Sequence, residues 1–181
     1  YVTFKGLKEG AEFLLLMGQA SFWNMSQRLQ LFPGIALIEK LKQEKLLKSD
    51  YSSLDVYGYD FKDPRVGLLA EQLDFNNEPV IKRENALVRY IKETSDRMDK
   101  IATNNDHSSD ISISLKNSVD AKLQDICRIN FSFFNEVVDL SEHIWSNGNF
   151  QEKKSSYLIK MENELNKLED TFKSYVECLN E

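Results

Sequence analysis

Asp139 and His143 stand four residues apart, one turn of a helix, with Glu136 just upstream on a nearby face. That grouping is half of what a metal site in a helical bundle needs. A carboxylate-bridged di-metal centre takes two Glu-x-x-His pairs, and the chain contains none. Cys-x-x-Cys and His-Glu-x-x-His are missing as well, so the familiar zinc chemistries have no sequence basis. The expected reading of Glu136, Asp139 and His143 is a solvated acidic helix face, with no metal and no other cofactor. Cys127 beside Arg128 is the one candidate nucleophile, because a neighbouring cation lowers a thiol pKa. An apolar seam runs past it and no histidine is close in sequence, so a buried structural thiol is expected. The adjacent carboxylates Glu169 and Asp170 lie on a charge-rich stretch and read as solvation. A helical nuclease carrying Arg and His four to six residues apart fails on spacing, since Arg97 and His107 are ten apart and Arg128 and His143 fifteen. Glycine-rich phosphate loops and Gly-x-Ser-x-Gly elbows do not occur. A non-catalytic protein is the expectation.

The elements that would position these residues are mostly helical. Seven glycines and three prolines in 181 residues are too few for the turns of an all-β fold. A 41% apolar, 29% charged composition is that of a folded chain able to bury a core. The net charge of −6 argues against nucleic acid as a partner, because phosphate neutralisation needs Lys and Arg in excess. The expected architecture is all-α: an elongated bundle of four to five helices forming one domain over residues 1–181, with a minor β or irregular segment near 49–78.

The first helix is expected from Leu7 to Leu31, stopped by Phe32-Pro33-Gly34. It holds the most apolar run, Phe13 to Met17. Five residues cannot span a membrane, which takes about 20. Lys5 and Lys8 before the run and Gly18-Gln19-Ala20 after it look like a secretory signal, but Glu12 sits inside. A helix apolar on most sides and buried mid-bundle is therefore expected. A second helix should run from Ile35 to about Leu47, and a third from Pro79, a residue that fits a first helical turn.

The two C-terminal helices carry the clearest pattern. Val119, Leu123, Ile126, Asn130, Phe133, Val137, Leu140 and Ile144 recur at alternating spacings of four and three. Leu158, Met161, Leu165, Leu168, Phe172, Tyr175 and Leu179 do the same. Two such seams joined at Ser146-Asn147-Gly148-Asn149 predict an antiparallel, coiled-coil-like hairpin with Gly148 as a left-handed cap. In that register Cys127 faces about residue 168 and lies roughly 15 Å from Cys178, too far for a disulfide. Reduced thiols point to the cytoplasm, with an exported mature chain left open. Asn130 inside a seam either fixes register or oligomeric state, or lies at the seam's edge and reaches water or a backbone carbonyl.

Function follows as two expectations. The first is a helical interaction module, an adaptor, immunity-type or assembly subunit, acting on a protein partner or a second copy. Its contact residues would be Tyr57, Tyr59 and Phe61, aromatics in the irregular segment, or surplus apolar residues of the last helix. The second is a small-molecule-sensing bundle whose pocket is lined by Phe22, Trp23, Phe133 and Phe134. A membrane-acting protein that releases Phe13–Met17 comes third.

Overall fold

The computed structural model describes residues 2–26, 36–48, 58–75, 77–102, 110–143 and 147–179. Seven helices form among them, packed as an all-α bundle: α1 (Phe4–Leu16), α2 (Phe22–Ser26), α3 (Leu37–Gln43), α4 (Pro64–Gln72), α5 (Pro79–Ala102), α6 (Asp110–His143) and α7 (Asn147–Leu179). None of them is long and apolar enough to cross a membrane.

The single long first helix expected from the sequence is two shorter ones. Thr3 caps α1, its Oγ1 accepting from the Gly6 N–H at 3.0 Å. Gly18, at φ +65°, ends the helical path in the left-handed region. The N–H groups of Gly18 and Gln19 turn back onto the carbonyls of Leu15 and Leu14 at 3.0 and 2.8 Å. The chain then starts α2 at Phe22.

This break also changes what Phe13–Met17 does. The inward stripe of α1 is Phe4, Leu7, Ala11, Leu14 and Leu15, packed mainly on α6. Phe13, Leu16 and Met17 fall on the other side and are exposed. The apolar run is therefore one helix divided between core and solvent, not a helix buried all round.

α3 is shorter than Ile35–Leu47 and carries a small core of its own, Ile38 and Leu41, against Leu46, Leu47 and Tyr59. The β character expected near 49–78 amounts, among the described residues, to one antiparallel bridge between Leu47 and Tyr59. The one or two helical turns that the sequence allows over Val66–Phe75 form as α4; Asp63 caps it by accepting from the Arg65 N–H at 2.9 Å, and Pro64 opens it.

α6 and α7 form the expected hairpin and share the most extensive packing in the bundle. Val119, Ile126, Asn130, Phe133 and Val137 of the first seam are buried, as are Met161, Leu165, Leu168, Phe172 and Tyr175 of the second. Ile144 and Leu179 lie outside the described side chains. α7 already begins at Asn147, so Gly148 lies inside it and is no C-cap. α6 has a second buried face, Phe134, Val138 and Ser141, which lets it receive α1 and α4 while α7 covers the first. Arg83 of α5 fixes α5 to α7 by binding Glu162 at 2.6 Å and also Glu169.

Candidate functional site

The seam of α5 reads Ile81, Glu84, Val88, Ile91, at spacings of three, four and three. A carboxylate therefore rides a stripe of apolar residues into the core, and Glu84 is fully buried. Asn130 occupies the matching position in the seam of α6 and is equally buried. The two side chains meet: Asn130 Nδ2 donates to Glu84 Oε1 at 2.7 Å and to the Ala20 carbonyl at 3.0 Å. Tyr157 of α7 donates its hydroxyl to Asn130 Oδ1 at 2.8 Å. One amide thus ties together α5, α6, α7 and the α1–α2 connection. Asn130 does reach a backbone carbonyl, but from the interior of the bundle rather than from the edge of its seam.

Aromatic rings enclose this network. Phe22 stacks on Phe75 with centroids 4.7 Å apart, and Phe133 stacks on Tyr157 at 4.1 Å, both pairs inclined by 11°. Phe22 lies 6.1 Å from Phe133, so the four rings form one cluster. Low polarity around Glu84 follows. Burial pushes its carboxyl up to about 7, against the opposing pull of the Asn130 hydrogen bond and the Phe22 backbone. Its second oxygen, Oε2, is buried and receives no hydrogen bond among the described residues. Burial likewise raises the Tyr157 hydroxyl well above its ordinary value, with the Glu84 charge adding to the effect.

Glu84 also forms part of the wall of a cavity of about 420 Å3 between α2, α5 and α6. Trp23, Val88, Ile126 and Cys127 supply its apolar surface, and Arg89, Lys92, Glu93 and Asp96 its charged one. Burial pushes the Cys127 thiol up, outweighing the nearby Lys92 and Arg128. That is the opposite of an activated nucleophile, and Cys127 and Cys178 are both free thiols.

The other residues singled out from sequence fall in different places. Asp139 is bound by Lys8 of α1 at 2.5 Å, Glu136 by Lys153 of α7 at 2.7 Å, and His143 is exposed. The acidic face is thereby matched to cations on neighbouring helices, and no cluster of metal-ligand type occurs among the described residues. Tyr57 lies outside the described residues. Tyr59 and Phe61 are half-buried, in contact with each other at 5.4 Å; Tyr59 packs under α3, and Phe61 packs on the main core. Of the four residues expected to line a ligand pocket, Phe22, Phe133 and Phe134 are core, while Trp23 borders the cavity and is 43% exposed. Glu84, the centre of the site, is not marked by any motif. Its only signal is a charge at a core position of α5.

The hydroxyl of Tyr157 gives the network a direct test. Tyr157→Phe keeps the stacking on Phe133 and removes the one donor to Asn130 Oδ1. A stability loss of about 1–2 kcal/mol is expected by urea denaturation. An unchanged midpoint would mean that the bond contributes nothing.

No protein-family model, curated protein or solved structure gives a significant match to the chain.

Proposed function

We propose that this chain is a non-catalytic helical interaction module that binds another protein chain, a partner or a second copy, through the outer face at the end of α1. The observation that carries this reading is the exposure of Phe13, Leu16 and Met17, at 62%, 80% and 57%. They occupy positions i, i+3 and i+4 and so form one continuous apolar face. Large apolar side chains grouped in this way are a feature of binding surfaces. The apolar seam of α7, a natural alternative from the sequence, is already used within the hairpin: Met161, Leu165 and Leu168 are completely buried. Glu9 and Glu12 beside the α1 face are exposed and would give it a polar rim.

The test is a charge-bearing double variant, Leu16→Asp with Met17→Lys. Both side chains lie outside the core, so circular dichroism and the thermal midpoint should stay at wild-type values. Native mass spectrometry of protein purified from its own host, with sedimentation over a range of concentrations, should show a complex or defined oligomer for the wild type. The variant should weaken it by at least about tenfold, since each apolar side chain buried contributes on the order of 1.5–3 kcal/mol. A wild type that is strictly monomeric and unaccompanied, or an assembly indifferent to both substitutions, would refute the proposal.

A further inference from the structure

The cavity between α2, α5 and α6 is short of one hydrogen-bond donor. Glu84 Oε1 is served by Asn130, while Oε2 is buried with no donor among the described residues. The side chains nearest it are already committed, and the Phe22 backbone N–H, which helps hold the carboxyl's pKa down, makes no hydrogen bond to Oε2. Asn130 Nδ2 spends its two N–H groups on Glu84 and Ala20, and the Tyr157 hydroxyl is held by Asn130 Oδ1. Arg89 and Lys92 line the same cavity but start about 7 and 12 Å further along α5 at the helical rise, and both are exposed. A carboxylate left in this position calls for a donor that enters from outside, and a cationic donor satisfies both the hydrogen bond and the charge.

We propose that this cavity binds a small organic cation, a primary ammonium on an aromatic or apolar body, with the ammonium donating to Glu84 Oε2 and the body lying against Trp23. The volume, about 420 Å3, is within the range of small-molecule sites. Trp23, Val88 and Ile126 offer the apolar wall, and a tryptophan face attracts a cation in its own right. The wall carries three carboxylates, Glu84, Glu93 and Asp96, against the two cations Arg89 and Lys92. This site is independent of the apolar face of α1, and either can fail without the other.

Protonation of Glu84 competes with the ammonium. Its carboxyl titrates at about 7, so an amine should bind about tenfold more weakly at pH 6 than at pH 8. The other titratable groups facing it are Arg89, Lys92, Glu93 and Asp96 of α5, Cys127 of α6 and Tyr157 of α7; α2 contributes none. Cys127 and Tyr157 are both pushed upward by burial, away from this window.

Calorimetry on the full chain with three probes of one shape, phenethylamine, 2-phenylethanol and 3-phenylpropionate, tests the inference. Phenethylamine should bind one per chain, at least tenfold more tightly than the alcohol or the acid, with the stated pH dependence. Glu84→Gln should abolish both the preference and the pH dependence. The protein has two tryptophans, so Trp145→Phe leaves Trp23 as the sole indole, and its fluorescence should follow the same isotherm. Equal binding of amine and alcohol, tighter binding of the acid, no saturable amine binding at millimolar probe, or an amine preference that survives Glu84→Gln would each overturn it.

Discussion

Glu84→Gln should make the protein more stable at pH 8 by about 3 kcal/mol and leave it unchanged near pH 4.5. The carboxyl of Glu84 has a folded-state value of about 7, above the 4.5 of an ordinary glutamate. Between these values the folded protein holds a proton that the unfolded chain releases. The unfolded state then binds fewer protons than the folded one, so stability falls as pH rises through this window. The contribution of Glu84 is complete below about 4.5, declines towards 7, and is lost above it. Glutamine has the shape of the protonated acid and accepts from Asn130 Nδ2 through its own oxygen, so it reproduces the low-pH state at every pH. Urea denaturation of both proteins from pH 4.5 to 8 isolates Glu84, because the other ionisable groups cancel in the difference. A difference that stays flat with pH would show that Glu84 is not the buried, electrically isolated group described here. A residue that weakens the fold at neutral pH is the kind retained for binding rather than for stability. The same substitution is therefore expected to strengthen the protein and to end amine binding.

How far the sequence discloses this arrangement depends on the length of the pattern. The α6–α7 hairpin is legible because five or more turns of apolar spacing outvote any local ambiguity; even the alternating Ile111–Leu115 stretch is helical. The start of α5 is legible from Pro79. The break at Gly18 is not, because apolar residues continue on both sides of it and one glycine inside a helical pattern is commonly tolerated. Nor is the sidedness of Phe13–Met17 legible. Five consecutive apolar residues cover every direction of a helix, and only the position of α6 decides which of them face inward. In the site, Asn130 is marked by its place in a long seam. Glu84 is not, since α5 also carries Arg83, Arg89, Lys92 and Glu93, and a charge among charges does not stand out. What identifies it is the pairing: two polar residues at core positions of two helices each need a partner, and each supplies one to the other. Tyr59 and Phe61 are a different case. Their types are right for an interface, but aromatics in an irregular segment are equally suited to covering a helix pair, and here they pack under α3 and on the main core.

Asn130→Leu should be strongly destabilising, with a loss of about 3–5 kcal/mol at pH 8. Leucine has a similar volume, so the packing of Ile126, Phe133 and Val137 around position 130 is largely kept and the cost is polar. Three groups lose their partners together: Glu84 Oε1, the Tyr157 hydroxyl and the Ala20 carbonyl. The loss should depend on pH, in a direction the network fixes. Asn130 donates to the Glu84 carboxylate and holds its pKa down; without that bond the folded-state value rises above 7. The penalty must then be larger at pH 8, where a charge-assisted hydrogen bond is lost, than at pH 5, where a bond to a neutral acid is lost. Combining the substitution with Glu84→Gln should remove most of that pH dependence, and the double variant should be more stable at pH 8 than the two single effects added together predict, by about 1–3 kcal/mol. Additive effects in this cycle would mean that Asn130 and Glu84 act separately, and the single amide would no longer account for how four segments of the chain are held in register.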